Sequence, residues 1–223
     1  MCGRFAVGEV EMARWDGWLE VEGAEPWPEP SWNVAPTQTA AIIVAGAPRS
    51  RLSARWGLVP HWWRKPLAEM KATTFNARSE EAVQKPFFRD AWRRGRCLVP
   101  ALGYFEWSGR KGAKTPWFVT VQSNSPGICF AGLWAEAMVD GAPLRSFTVL
   151  TCAAGVATAH LHPRSPVILA EDAWAGWLDG TADAEALMTA PPDSRVELWE
   201  VDGRVGNVRQ NGPDLIQRVG LGL

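Results

Sequence analysis

Cys97-Leu98-Val99-Pro100-Ala101-Leu102-Gly103-Tyr104-Phe105-Glu106-Trp107 is apolar almost throughout and reads as extended chain in a core. Similar runs follow at 117–121, 128–134, 147–151 and 166–169. The segments between them hold Gly, Pro, Asn and Ser, as antiparallel strands require. Upstream, 39–45 and 50–58 read as a hairpin turning through Gly46-Ala47-Pro48. Helices are fewer. Val10, Met12, Trp15, Trp18 and Leu19 recur on one helical face of 9–20, and 86–94, 171–178 and 183–189 read as short helices. The stretch 25–36 holds four prolines and reads as a loop. The expected fold is α+β: a curved, mainly antiparallel β-sheet with a barrel-like core and peripheral helices, in a single domain over 1–223.

Composition narrows the function. With 47% hydrophobic and 21% charged residues, the 223-residue chain can build a sizeable core and is not disordered as a whole. Its longest apolar stretches, such as 39–47, fall far short of the roughly 18 residues that cross a bilayer. Met1 is followed by Cys2, Gly3 and Arg4 rather than an apolar leader, so a cytoplasmic protein with no membrane association is expected. Cys2, Cys97, Cys129 and Cys152 form no CxxC pair and are expected as thiols. The net charge of −1 hides a strong asymmetry: residues 1–48 sum to −5, 49–96 to +8 and 97–223 to −4. A local basic block can attract phosphates inside a neutral protein, although such a block can equally be a solvated, salt-bridged face. Of the aromatic residues, 14 are Trp, 8 Phe and one Tyr. Most tryptophans belong in the core, but Trp62-Trp63 sits between Pro60-His61 and Arg64-Lys65-Pro66 within the basic block. Exposed rings among cations suit single-stranded nucleic acid, whose bases stack while its phosphates meet the charges.

Cys2 is the most informative reactive residue. A small second residue normally allows removal of the initiator Met, leaving a cysteine with a free α-amine. With a pKa of about 7.7–8.0, that amine is in part a neutral nucleophile near pH 7. A 1,2-aminothiol forms a Schiff base with an aldehyde and then closes to a thiazolidine. The competing reading is an inert buried cysteine. Cys97, Cys129 and Cys152 read as core. His160 and His162 form an HxH pair without further ligands at a recognisable spacing, so no metal is expected. His162, before Pro163-Arg164-Ser165-Pro166, suits an acid/base role. Glu106 lies among aromatic residues, where desolvation favours proton transfer near neutrality; pairing with an arginine is the alternative. Asn76 precedes Ala77-Arg78-Ser79-Glu80 and suits either a turn or a site.

Taken in order, these signals resemble the SOS response-associated peptidase (SRAP) family. The resemblance runs through Met1-Cys2-Gly3-Arg4-Phe5, Trp32-Asn33-Val34-Ala35-Pro36-Thr37, Trp56-Gly57-Leu58-Val59-Pro60 with Trp62-Trp63, and Phe75-Asn76-Ala77-Arg78-Ser79-Glu80. It continues through Arg96-Cys97-Leu98-Val99-Pro100-Ala101, Gly103-Tyr104-Phe105-Glu106-Trp107, His162-Pro163-Arg164-Ser165-Pro166 and Val205-Gly206-Asn207. Leu102 departs from the pattern, standing where an aspartate is usual.

The resemblance implies a protein that senses abasic sites in single-stranded DNA and forms a thiazolidine crosslink through a mature amino-terminal Cys2. It also implies autoprocessing that removes Met1. Carried over by motif, Cys2, Asn76, Glu106 and His162 form the catalytic set. Arg4, Arg78 and Arg164 are expected at phosphates, Trp62 and Trp63 at bases, and Asn33 with them at the DNA-binding surface. The expected protein is a monomer, needs no cofactor and associates with the nucleoid when bound to DNA. Two rival readings remain: a cysteine peptidase acting in trans, and a non-covalent reader of single-stranded DNA or a modified base.

Overall fold

The computed structural model describes residues 2–22, 25–110 and 112–220, and for residues 10–13 the backbone only. The expected removal of Met1 therefore lies outside the described residues. In chain order the elements are β1 (Phe5–Val7), α1 (Glu9–Leu19), β2 (Ser31–Val34), β3 (Thr39–Val44), β4 (Ser50–Trp56), β5 (Asn76–Arg78), α2 (Ser79–Ala82), α3 (Arg89–Arg94), β6 (Arg96–Ala101) and β7 (Gly103–Arg110). There follow β8 (Ala113–Val121), β9 (Ile128–Val139), β10 (Ala142–Ala153), α4 (Val156–Ala159), β11 (Arg164–Pro166), β12 (Ile168–Leu169), α5 (Trp174–Asp179), α6 (Ala184–Leu187) and β13 (Val196–Glu200).

The α+β expectation holds, with the sheet divided in two. One sheet runs β13-β8-β7-β1-β2. The other runs β11-β10-β4-β3-β6-β9-β12, and a further β9–β10 pairing closes β10, β4, β3, β6 and β9 into a five-stranded barrel. Pairing is antiparallel except where β10 meets β4 and β5. The alternation of a strand sorts its side chains between two cores. In β3, Ala40, Ile42 and Val44 enter the central core with Phe5, Trp56, Phe130 and Phe147. Ile43 faces outward to Trp15, Leu19 and Trp177 beneath the helices. Trp56 is fully buried, edge-on to Phe5 at 4.9 Å and stacked on Phe147 at 6.3 Å. Its Nε1 donates to the Phe75 carbonyl at 2.7 Å.

Three expectations need correction. The run 97–107 is not one strand: β6 belongs to the barrel and β7 to the other sheet. The chain changes sheet at Leu102, whose N–H donates to the Ala6 carbonyl at 2.8 Å and whose carbonyl accepts from Thr120 Oγ1 at 2.7 Å. Its side chain packs against the apolar cluster that holds Ala6, Phe105, Phe118 and Val205, a role that an aspartate would not fill. Gly103 follows because a Cβ there would lie 2.5 Å from both the Phe118 ring and the Val119 carbonyl. Second, the proline-rich stretch 25–36 contains β2, which pairs with β1. Third, α1 buries Trp15 and Leu19 but leaves Trp18 41% exposed, so the expected face is narrower than its periodicity suggested.

Glu171 fastens the β8–β9 loop. Its Oε1 accepts from Ser123 Oγ at 2.6 Å and from the backbone N–H groups of Asn124 and Ser125 at 3.0 Å. Burial acts to raise the pKa of this carboxylate, but the hydrogen bonds outweigh it and hold the value below normal. A depressed carboxylate stabilises the fold above its unfolded pKa of about 4.3, and that contribution disappears as pH falls through the folded value. Glu171→Gln should therefore cost about 1–2 kcal/mol at pH 7. Urea unfolding across pH should show the difference from wild type shrinking in the acid carboxylate range; a constant difference would argue against this role.

Candidate active site and nucleic-acid surface

β1 brings the amino terminus to the centre of the molecule. Phe5 pairs with Tyr104 and Ala6 with Gly103 on one side, and Phe5 pairs with Val34 on the other. The Phe105 N–H donates to the Arg4 carbonyl at 2.9 Å. Continuing this antiparallel register carries the chain before Arg4 alongside Glu106. Cys2 is 1% exposed within the central core, and Asn76 Nδ2 donates to its carbonyl at 2.6 Å. Asn76 owes its position to β5, where it pairs with Val149 of β10. Its Oδ1 is buried with no hydrogen-bond partner among the described residues. Glu106, 8% exposed, lies close enough to Cys2 for its charge to act on the thiol. Burial first, then Glu106, push the Cys2 thiol up to about 12, so at neutral pH it is a thiol rather than a thiolate.

His162 enters from the turn between α4 and β11, next to Leu161, which shares the central core with Cys2. Its Nδ1 accepts the Arg164 N–H at 3.0 Å. The same nitrogen lies 3.1 Å from the Arg164 carbonyl. His160 points elsewhere, edge-on to Trp117 at 6.0 Å. The structure thus gathers Cys2, Asn76 and Glu106, whereas His162 precedes β11 on the opposite flank of β10 and its hydrogen-bond contacts run to Arg164. Sequence reasoning missed Tyr104, the only tyrosine, 3% exposed beside Cys2 and Glu106; burial, then the charges of Cys2 and Glu106, raise its pKa strongly.

The residues expected to bind DNA divide into two groups. A groove of about 330 Å³ opens on Asn76, with Arg78, Lys85, Phe87 and Phe88 in its walls. Arg78 is well exposed, and Trp62, 40% exposed, meets Phe87 edge-on at 5.5 Å. Phe87 was legible as an aromatic residue in the basic block but was not singled out. Trp63 instead packs on Val59, Ala137 and Val139, so an adjacent pair in a turn has one ring outward and one inward. Arg164 is engaged by Glu80 through two hydrogen bonds of 2.7 and 2.8 Å, with its side chain 17% exposed. Its charge is therefore answered within the protein.

Asn33 does not belong at a DNA surface. It is 2% exposed; its Nδ2 faces the carbonyls of Val205, Asn207 and Gln210 at 3.3, 3.1 and 2.9 Å, and its Oδ1 accepts from Arg4 Nη1 at 2.7 Å. Its amide closes a fold contact and has no face toward solvent.

Residues 1–208 match the SOS response associated peptidase (SRAP) family. Abasic site processing protein YoqW of Bacillus subtilis is 31% identical over 229 residues, covering 97% of this chain and 99% of that protein. Abasic site processing protein YedK of Escherichia coli is 30% identical, with coverage of 98% and 100%. A crystal structure of a Bordetella bronchiseptica protein superposes with a TM-score of 0.77 at 28% identity, over 90% of this chain and 100% of the other. With the family match spanning nearly the whole chain and the same fold in a solved relative, the protein belongs to the SOS response associated peptidase family.

Proposed function

We propose that the protein captures abasic sites in single-stranded DNA as a thiazolidine on Cys2 once Met1 has been removed. The observation that carries this reading is the anchoring of residue 2, buried and held by Asn76 through its carbonyl. Chain ends normally fray. One fixed in a core beside a carboxylate offers its amine at a defined point. The names of the relatives, abasic site processing proteins, support the substrate class.

An abasic sugar is mostly a closed hemiacetal. His162 relays the proton of the C1′ hydroxyl to the ring oxygen, so that the bond from C1′ to the ring oxygen breaks and the C1′ aldehyde is released. The Cys2 amine attacks C1′, and the former carbonyl oxygen takes a proton to give a carbinolamine. Glu106 accepts the proton lost by nitrogen and returns it to the departing hydroxyl. Water leaves and an imine forms. The thiol then adds to C1′, its sulfur forming the new bond and its proton passing to nitrogen; the net loss is one water. A thiol with its pKa at about 12 suits this order, amine first and sulfur second, better than a peptidase in trans that needs a standing thiolate. Removal of Met1 by the same residues is part of this reading. Arg78 and Lys85 meet phosphates along the groove, and Trp62 with Phe87 offers a stacking platform.

Active protein should show loss of Met1 by intact mass. Cys2→Ser should still give a borohydride-trappable imine but little stable adduct, since oxazolidine closure is less favourable; a stable product from Cys2→Ser would remove the thiol from the mechanism. Glu106→Gln should slow single-turnover adduct formation by about 10²–10⁴-fold with both abasic DNA and a simple free aldehyde. His162→Ala should slow only the abasic substrate, and equal slowing of both would refute ring opening. Affinity for single-stranded DNA should fall with salt at a log–log slope of about −0.7 per phosphate neutralised, and Arg78→Gln should make that slope shallower. Trp62→Ala should remove about 1–3 kcal/mol of binding. A salt-independent affinity would place the DNA elsewhere.

A further inference from the structure

Arg4 has the charge of a phosphate ligand but the surroundings of a strut. Its Nη1 donates to Asn33 Oδ1 and to the Val205 carbonyl, each at 2.7 Å. The guanidinium lies 5.7 Å from the centre of the Trp107 ring. Burial lowers its pKa, the reverse of what solvent exposure would give. Its backbone carbonyl receives two donors, the Phe105 N–H at 2.9 Å and the Cys2 thiol at 3.5 Å. The residue is thus fixed at both ends, its side chain against the 203–210 segment and its carbonyl against β7 and Cys2. Asn33 completes the node by holding three carbonyls of that same segment.

We infer that Arg4 and Asn33 are positioning residues for Cys2, and that the Val205–Gln210 segment is the abutment against which they set it. This rests on the aldehyde-capture reading above and goes beyond it by moving Arg4 from the DNA surface to the reactive end of the chain. The physical reason is geometric. Only Gly3 lies between Arg4 and Cys2, so a rigid guanidinium fork limits the arc through which the Cys2 amine can swing. Lysine, with one donor head on a flexible stem, would keep the charge without the planar brace.

The test uses the processed full-length protein with Arg4→Lys, Arg4→Gln and Asn33→Ser. Single-turnover adduct rates at saturating DNA are measured beside the DNA dissociation constant, its salt slope, and the rate with a small free aldehyde that carries no phosphate. All three variants should lose about 10–100-fold in rate with both substrates, the scale of a misplaced reacting group. Affinity for DNA and its salt slope should stay at wild-type values. If Arg4→Gln instead weakens DNA binding, makes the salt slope shallower by about 0.7 and reacts normally with the free aldehyde, Arg4 is a phosphate ligand and the inference is overturned. A second readout does not depend on DNA chemistry or on full stability. Alkylation of Cys2 by iodoacetamide should speed up at least tenfold in each folded variant, while Cys97, Cys129 and Cys152 stay protected; unchanged protection of Cys2 overturns the inference. Should wild-type protein form no adduct with abasic DNA, the aldehyde-capture reading fails, and the alkylation contrast still decides whether Arg4 and Asn33 hold Cys2.

Discussion

The burial of β1 is the constraint on which the rest depends. Phe5 is fully enclosed, 4.9 Å from Trp56 and 5.9 Å from Phe130 between ring centres. Enclosing such a side chain stabilises the fold by about 1.5–3 kcal/mol, enough to hold a short strand that would otherwise fray. With Phe5 in place, the pairings to Tyr104 and Val34 follow, and they align the residues before it with Glu106. Asn76 then needs to hold only one carbonyl. Cys2 is therefore an extension of the core and shares its burial.

The basic block illustrates how a count of charges overstates the field a ligand meets. Arg51 lies over Trp27 and pairs with Asp16. Arg55 donates to the Gly57 carbonyl, and Arg96 lies against Trp92 and Trp177. These arginines tie loops and helices to the barrel, and the Trp-rich composition supplies faces on which their guanidinium planes rest. What remains toward solvent is concentrated around the Trp62 turn and the groove below Asn76.

Much of the architecture was legible because apolar runs such as 128–134 and 147–151 are buried on both faces, and such runs show in composition alone. The division at Leu102 was not legible. Both halves of 97–107 are equally apolar, and the change of sheet is decided by Ala6 and Thr120, far away in the chain. β13 does not alternate strictly, since Leu198 and Trp199 are adjacent, and it is only half-buried along most of its length, which leaves a weak signal over five residues. Cys2, Asn76, Glu106 and His162 could be proposed as a set because their motifs keep a recognisable order. The role of Asn33 could not, because its partners are backbone carbonyls 172 to 177 residues away, and carbonyls have no sequence signature. Trp62 and Trp63 were indistinguishable as letters, and only the turn decides which ring faces inward.

The bond from Arg4 to the Val205 carbonyl spans 201 residues. During synthesis the amino terminus emerges first, and the segment that braces it emerges long afterward. Until β7 has emerged, β1 lacks its partner and Cys2 lacks Glu106 beside it; until the 205–210 segment follows, Asn33 and Arg4 have no carbonyls to hold. The order of translation thus sets an order of assembly: the surroundings of Cys2 are complete only when nearly the whole chain has emerged.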